Sequence, residues 1–392
     1  GYAEANGNTV KISNATIGEA DGSGALYPVT GASVNAMRVQ NSYGNTVEIS
    51  GSVLTGGHAK EDSKSYVLAL SIIAGADPVS TRDNIVRFSD SEIDGYVSGT
   101  YLKNHGGSAE ASGTKVTVQG SKVGGDVKGD YVSSAAGDAI AERGSVSVLN
   151  NSTVGGIVTG ASTTVGGTIS AASRASGNTL TIENSKVGSY VYGGLAMNGT
   201  GGIAEASGNT LNLKNVNAPS LIMPSFAQNN GSGKAVAEGN TVTLQGGTYG
   251  GSIFVSYAYA AGNTASAGGN TVTLQGGTYS GVIYGSYAHA AGNTSAAQSN
   301  AVTESATAGD ATIRRNTAIA EGNTVTLHDG TYSGSIFGSR AYAAGSAAAA
   351  GGNTVTLQGD DVYGDGSPSF SAQVTVIWGS YALGGNQMYA PA

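Results

Sequence analysis

The sequence predicts an all-β fold, a parallel β-helix (β-solenoid) of about twelve rungs of roughly 30 residues, with loops inserted in its N-terminal third. Three observations predict it. A block reading Gly-Asn-Thr-Val-Thr-Leu-Gln-Gly-Gly-Thr-Tyr at Gly239 to Tyr249 recurs almost verbatim at Gly269 to Tyr279, and with changes at Gly322 to Tyr332. Within each copy the apolar residues alternate, as in Val242 and Leu244, which marks a strand with one buried face. Glycine is abundant, at 64 of 392 residues, and strong helix formers are scarce, so a helical solenoid fails. Collagen fails too, because glycine has no period of three.

The first strand of each rung starts at Val10, Val47, Val86, Val116, Val146, Leu180, Leu211, Val242, Val272, Val302, Val325 or Val355. The second apolar position follows two residues later, and only Glu304 breaks that column. Residues 295–320 therefore read either as a short rung or as an insertion. A second strand follows at Ile93 to Ser98, Val123 to Lys128, Val154 to Thr159, Val187 to Tyr192, Tyr249 to Phe254, Tyr279 to Tyr284 and Tyr332 to Phe337. Its apolar residues four apart, such as Ile93 and Val97, are expected on one face. An Ala-rich third segment, such as Ile203 to Ala206, suits a narrow core. Tyr27 to Met37 and Lys60 to Pro78 read as inserted loops. The chain is thus one solenoid over 1–392, irregular over 1–112 and regular over 113–392. At about 4.8 Å per rung the rod is on the order of 55 Å long.

Charge does little in this chain. Only 11% of residues are charged, with a formal net charge of −8. That balance lacks the basic footprint of nucleic-acid binding and a cationic patch for membranes. There is no Cys, hence no disulfide framework or thiol chemistry. The most apolar run, Tyr66 to Ala76, is too short to span a bilayer, and Gly1 to Asn8 carries no apolar targeting segment.

An Asn precedes most first strands: Asn8, Asn45, Asn84, Asn178, Asn209, Asn240, Asn270, Asn300, Asn323 and Asn353. Asn tolerates left-handed turns, and its amide bonds to copies above and below. An internal, turn-stabilising Asn ladder is the expectation, ahead of a polar recognition stripe.

Catalytic and metal chemistry finds little footing. His58, His105, His289 and His328 do not pair at ligand spacing. No nucleophile elbow appears. Acid candidates for polysaccharide cleavage are Asp90, Glu92 and Asp94, or Asp360, Asp361 and Asp365, with solvated turn acids as the plainer reading. Gly359 to Gly366 is acidic but lacks the bidentate Glu of a Ca²⁺ loop. No cofactor or metal is expected. Thr-x-Thr pairs at Thr179/Thr181, Thr241/Thr243, Thr271/Thr273, Thr324/Thr326 and Thr354/Thr356 form a partial ladder, interrupted by Lys11, Glu48, Arg87 and Asn212. Ice binding would need a flat array, and Thr simply favours strands.

The main surface candidate is aromatic. If Ile253, Ile283, Ile336 and Ile377 point inward, then Phe254, Tyr284, Phe337 and Trp378 point outward, with Tyr192 extending the column. Such a column either binds a partner or only stiffens the sheet.

The block Gly-Asn-Thr-Val-Thr-Leu-Gln-Gly-Gly-Thr-Tyr-Ser-Gly, followed by Ile-Tyr-Gly-Ser-Tyr-Ala, resembles the repeats of type V autotransporter passengers, the β-solenoid surface proteins of Gram-negative bacteria. The resemblance spans nearly the whole chain, and no translocator barrel accompanies it. It implies export to the outer-membrane surface or beyond it, and frequently adhesion. No catalytic residue of that family maps onto the sequence. The expected function is a non-enzymatic extracellular adhesin or structural fibre subunit. A polysaccharide-degrading or polysaccharide-binding β-helix is the alternative. The chain begins and ends at the same phase of the repeat, with no capping helix, so open terminal rungs are expected to pair head to tail with another copy. Host or bacterial surface glycans and proteins are the other expected partners.

Overall fold

The computed structural model describes residues 3–18, 28–39, 41–55, 66–167, 170–262, 264–291, 317–328, 330–332, 335–343, 347–358, 370–372, 377–384 and 387–389. Among them there is no helix. The strands form four parallel sheets of 11, 11, 13 and 10 strands, each in sequence order, as a solenoid requires. One coil runs Thr241–Gln245, Thr248–Tyr249, Ile253–Phe254 with Ser256–Ala260, and Thr264–Gly268, one segment per sheet. Copies pair in register, Val242 on Val272 and Leu244 on Leu274. Identical positions thus stack into columns along the rod.

Four sheets replace the three strands expected per rung. The stretch from Tyr249 to Phe254 turns a corner, so Tyr249 belongs to the second sheet and Ile253 to the third. Ile93 and Val97 both point into the core, at 1% and 0% exposure, but from different sheets. Tyr27 to Met37 and Lys60 to Pro78 are not simple loops. Pro28–Ala36 and Tyr66–Ala74 are long strands of the third sheet, paired with each other.

Among the described residues the first sheet has 11 strands, close to the twelve rungs expected, and Val272 pairs directly with Val325. Thr317–Glu321 is a fourth-sheet strand on Thr264–Gly268, so an insertion could not extend to Ala320. Residues 295–316 lie outside the described residues, as do Asn300, Glu304 and the acidic stretch 359–366. One pairing is antiparallel: Gln387–Tyr389 lies along Ala382–Gly384 and covers that part of the last strand's edge.

Two cores run the length of the rod. The first is Val, Ile and Leu from the first three sheets, including Val116, Val146, Leu180, Leu211 and Val242. The second, between the third and fourth sheets, is mostly Ala, including Ala227, Ala258, Ala288, Ala235 and Ala265. Small side chains let those two sheets approach closely.

A polar spine separates the cores. Asn178, Asn209, Asn240, Asn270 and Asn323 are buried. The Oδ1 of each accepts the backbone N–H of the ladder residue one coil earlier, as in Asn209 N to Asn240 Oδ1 at 2.9 Å and Asn240 N to Asn270 Oδ1 at 2.9 Å. The chain turns there, and the corner N–H would otherwise be buried unpaired. Asn240 Nδ2 donates to Ser256 Oγ at 2.7 Å, and Ser256 Oγ donates to Asn270 Oδ1 at 2.7 Å. Asn353 ends the described ladder, accepting from Asn323 Nδ2 at 2.7 Å. The left-handed residue at this corner is the preceding Gly, such as Gly239 at φ 64°, and not the Asn. The Asn therefore serves the corner through the hydrogen bonds of its amide, and the Gly supplies the left-handed turn.

Candidate interaction surface

The third sheet carries the aromatic residues, and its local geometry explains their placement. Ile253, Val255 and Ser256 are buried, while Phe254 and Tyr257 are only half-buried. Two consecutive inward residues bend the strand and tilt the outer side chains before and after them together. Gly stands at the bend in most coils because backbone from the next coil lies against it. A Cβ on Gly285 would meet the Gly338 carbonyl at 2.4 Å, and one on Gly338 the Gly379 carbonyl at 2.4 Å. The outer face is therefore a crease with an aromatic column on each wall.

On one wall Phe254 stacks on Tyr284 with centroids 4.6 Å apart, and Tyr284 on Phe337 at 4.9 Å. Trp378 follows by register. On the other wall Phe226 stacks on Tyr257 at 5.1 Å and Tyr257 on Tyr287 at 5.0 Å. The walls meet edge to face: Phe254 with Tyr257 at 5.7 Å, Tyr284 with Tyr287 at 5.7 Å, and Trp378 with Tyr381 at 5.6 Å. Arg340 follows Tyr287 in the second column, its guanidinium 5.5 Å from the Tyr287 centroid and 5.6 Å from that of Tyr381. A third column, Tyr259, His289 and Tyr342, flanks the crease through edge-to-face contacts of 5.2 and 4.8 Å.

Burial dominates the electrostatics. It pushes the Tyr257 hydroxyl up to about 12, with the neighbouring Tyr287 and Tyr259 adding to it. Burial also raises Tyr287, against the opposing pull of Arg340. His289 is lowered, first by burial and then by Arg340, so the imidazole is held toward its neutral form. Arg340 has no ion-pair partner among the described residues; its Nη1 lies 3.5 Å from the Tyr284 hydroxyl.

The expected residues thus share one face, with two corrections. Only Trp378 is exposed, at 40%; Tyr284 is 8% exposed, because the two walls cover each other. Tyr192 does not continue the stack. Met223 occupies the position after it, and Tyr192 instead touches Tyr190 and the edge of Phe226. Sequence reasoning missed the whole second column and Arg340. The signal was present in Ser-Tyr-Ala-Tyr, Ser-Tyr-Ala-His, Ser-Arg-Ala-Tyr and Ser-Tyr-Ala-Leu from Ser256, Ser286, Ser339 and Ser380, where buried Ala alternates with outward large residues.

Two of the acid candidates, Asp90 and Glu92, are held in structural roles. Asp90 occupies a left-handed turn at φ 47°, its Oδ1 packed over Gly120. Glu92 pairs with Lys122. No group of three or more His, Asp or Glu converges among the described residues. The Thr pairs do stand in register, Thr241 on Thr271 and Thr243 on Thr273. Glu48, bridged by Lys11 at 2.9 Å and Arg87 at 2.7 Å, occupies that face in the early coils.

Comparison with known proteins gives no significant match: no family model matches the chain, and neither the curated proteins nor the solved structures returned a significant match.

Proposed function

We propose that this chain is a non-catalytic rod that works as a surface adhesin or fibre subunit and docks its partner through the aromatic crease. The observation that carries this reading is the crease itself, ring against ring from Phe226 to Tyr381 with one guanidinium set into it. Aromatic residues and Arg are the side chains that most often anchor interfaces. The resemblance of the repeats to autotransporter passengers supports placement on, or release from, a Gram-negative cell surface.

A protein partner fits better than a sugar chain. Sugars stack on ring faces, and here those faces are consumed by neighbouring rings 4.6–5.1 Å apart. Ring edges, hydroxyls and Arg340 remain. They suit an apolar strip carrying a carboxylate, and a second copy of this acidic rod could supply one.

The test is a triple variant, Phe254→Ser with Tyr284→Ser and Phe337→Ser. Circular dichroism should report an intact rod. Sedimentation velocity of the wild type should show concentration-dependent association, and the variant should lose at least tenfold in affinity. Equal association of both proteins, or a wild type that is monomeric and binds no cell-surface protein, removes the reading.

A further inference from the structure

The polar spine breaks at one place. The ladder residues run Asn45, Asn84, Thr114, Gly144, Asn178, so two consecutive coils lack the Asn. In the regular coils the third-sheet partner is a Ser, exemplified by Ser256, which receives Asn240 Nδ2 and donates to Asn270. At the break that partner is Asp130, following Thr100 and preceding Ala161 in its column.

Asp130 is 0% exposed, and neither carboxylate oxygen has a well-aligned hydrogen bond; only the Thr114 and Thr100 hydroxyls stand close enough to favour its charged form. The larger side chain reaches toward the room that Gly144 leaves. The point where a Cβ of Gly144 would stand is 3.2 Å from Asp130 Oδ2, 3.3 Å from Asn178 Oδ1 and 3.5 Å from the Thr114 carbonyl oxygen. All three are acceptors. Asn178 Oδ1 already takes the Gly144 N–H at 3.0 Å, and the Thr114 carbonyl takes the Ser145 N–H at 2.7 Å. Swapping Asn and Ser for Gly and Asp puts a carboxyl where the amide would lie and removes both the amide and the hydroxyl donors. Thr100 and Thr114 stand nearby with their hydroxyls 3.1 Å apart, and one of that pair donates to the other.

No counter-charge faces the carboxyl. On its own strand Lys128 and Tyr131 turn outward. So do Tyr96, Tyr101 and Lys103 on Tyr96–Asn104, Lys115 on Lys115–Gln119, Glu110 on Ala109–Ser112 and Glu142 on Ala139–Glu142. Arg143 is exposed at the corner, and Val158–Val165 and Ser145–Leu149 hold no titratable group. An ionised Asp130 would be a buried, unpaired charge.

We propose that Asp130 is a buried proton-binding site, and that its protonated form closes the gap in the ladder, making this coil a pH-sensitive joint in the rod. A protonated carboxyl supplies the one missing donor, in a place where acceptors surround it. Burial, partly offset by Thr114 and Thr100, raises its pKa from 3.8 to about 6. The folded value lies above the unfolded one. The penalty is therefore absent below about pH 4, grows as pH rises to about 6 and is constant beyond.

Denaturant unfolding of the whole chain between pH 4 and 8 tests the proposal, comparing wild type with Asp130→Asn and with the double variant Asp130→Ser, Gly144→Asn, which restores the regular pair. Relative to either variant, the wild type should lose about tenfold in its folded-to-unfolded ratio per pH unit across that window, roughly a hundredfold in all. Parallel pH profiles would overturn the proposal. Carbon-13 titration of the wild-type aspartates gives an answer that needs no variant. One carboxyl titrating near 6 supports the proposal, and all of them titrating near 4 or below refutes it.

Discussion

The coils from Lys115 to Lys214 and the near-identical coils from Thr241 to Ala290 fill the same corner in opposite ways. In the earlier coils a Ser stands at the corner between the first and second sheets. Ser121 N donates to Ser152 Oγ at 3.2 Å, and each hydroxyl turns back to a carbonyl of its own coil. The next inward residue is Val123, Val154 or Val187. In the later coils the Ser has become Gly247 or Gly277, and the Val has become Tyr249 or Tyr279. A Cβ on Gly247 would stand 3.1 Å from the Tyr249 hydroxyl, so the ring tip takes the vacated room. The two rings stack at 5.0 Å and are 1% exposed. Space given up in one column is filled from the next. A polar ladder has been exchanged for an aromatic one, and the Asp130 coil makes the same kind of exchange with a proton as the missing part.

The sharpest way to break this comparison is to charge the core that both regions share. Val242 is 0% exposed and its neighbour Thr243 lies on the outer face. Val242→Asp should cost several kcal/mol, since an unpaired charge would enter a dry interior. Thr243→Asp should change the unfolding midpoint little. Comparable losses in denaturant titrations of the two would overturn the inside and outside assignment.

The next effect separates the two corner solutions. Tyr249→Ala should cost about 3–5 kcal/mol, because Gly247 leaves nothing able to refill the space. Val187→Ala removes less volume and should cost less. Tyr249→Phe sharpens the point. The Tyr249 hydroxyl is enclosed without a well-aligned hydrogen bond, and burial raises its pKa against partial help from the Val216 backbone N–H. Its removal should be neutral or slightly stabilising. A large loss in Tyr249→Phe would show that the hydroxyl is well bonded after all.

How much of this was legible depends on what each residue's signal was. Val242, Leu244 and their copies gave up the strand, its buried face and its register, because period-2 alternation repeated every 30 or so residues has few other meanings. The Asn ladder was legible for the same reason. The four-sheet cross-section was not, because the second sheet contributes only two or three residues per coil, as in Thr248–Tyr249, too few to alternate. Pro28–Ala36 and Tyr66–Ala74 hid because their irregular spacing put no repeated block beside them. Phe254 and its copies were found, but their cover was not. The bend that brings Tyr257 against Phe254 depends on the carbonyl approach of a neighbouring coil, which no local pattern encodes.

The smallest effect compares the outer faces of the first sheet. The early coils carry an ionic ladder, with Glu48 between Lys11 and Arg87. The later coils carry Thr243 on Thr273 and a Gln245 to Gln275 hydrogen bond of 2.6 Å. Both ladders face water. A hydrogen bond from Lys11, together with the charges of Lys11 and Arg87, lowers the Glu48 pKa below its usual 4.5. Its contribution is therefore present above pH 4.5 and fades as pH falls through the lower folded value. Solvent screens such pairs strongly, so Glu48→Gln should move the melting temperature only slightly at low salt. About 1 M salt shortens the screening length to roughly 3 Å and should abolish even that difference. The Gln245→Ala variant should be insensitive to both salt and pH. If Glu48→Gln proved as costly as Tyr249→Ala, and remained so in high salt, the early coils would depend on their surface charges. The shared interior would then not be what holds both regions together.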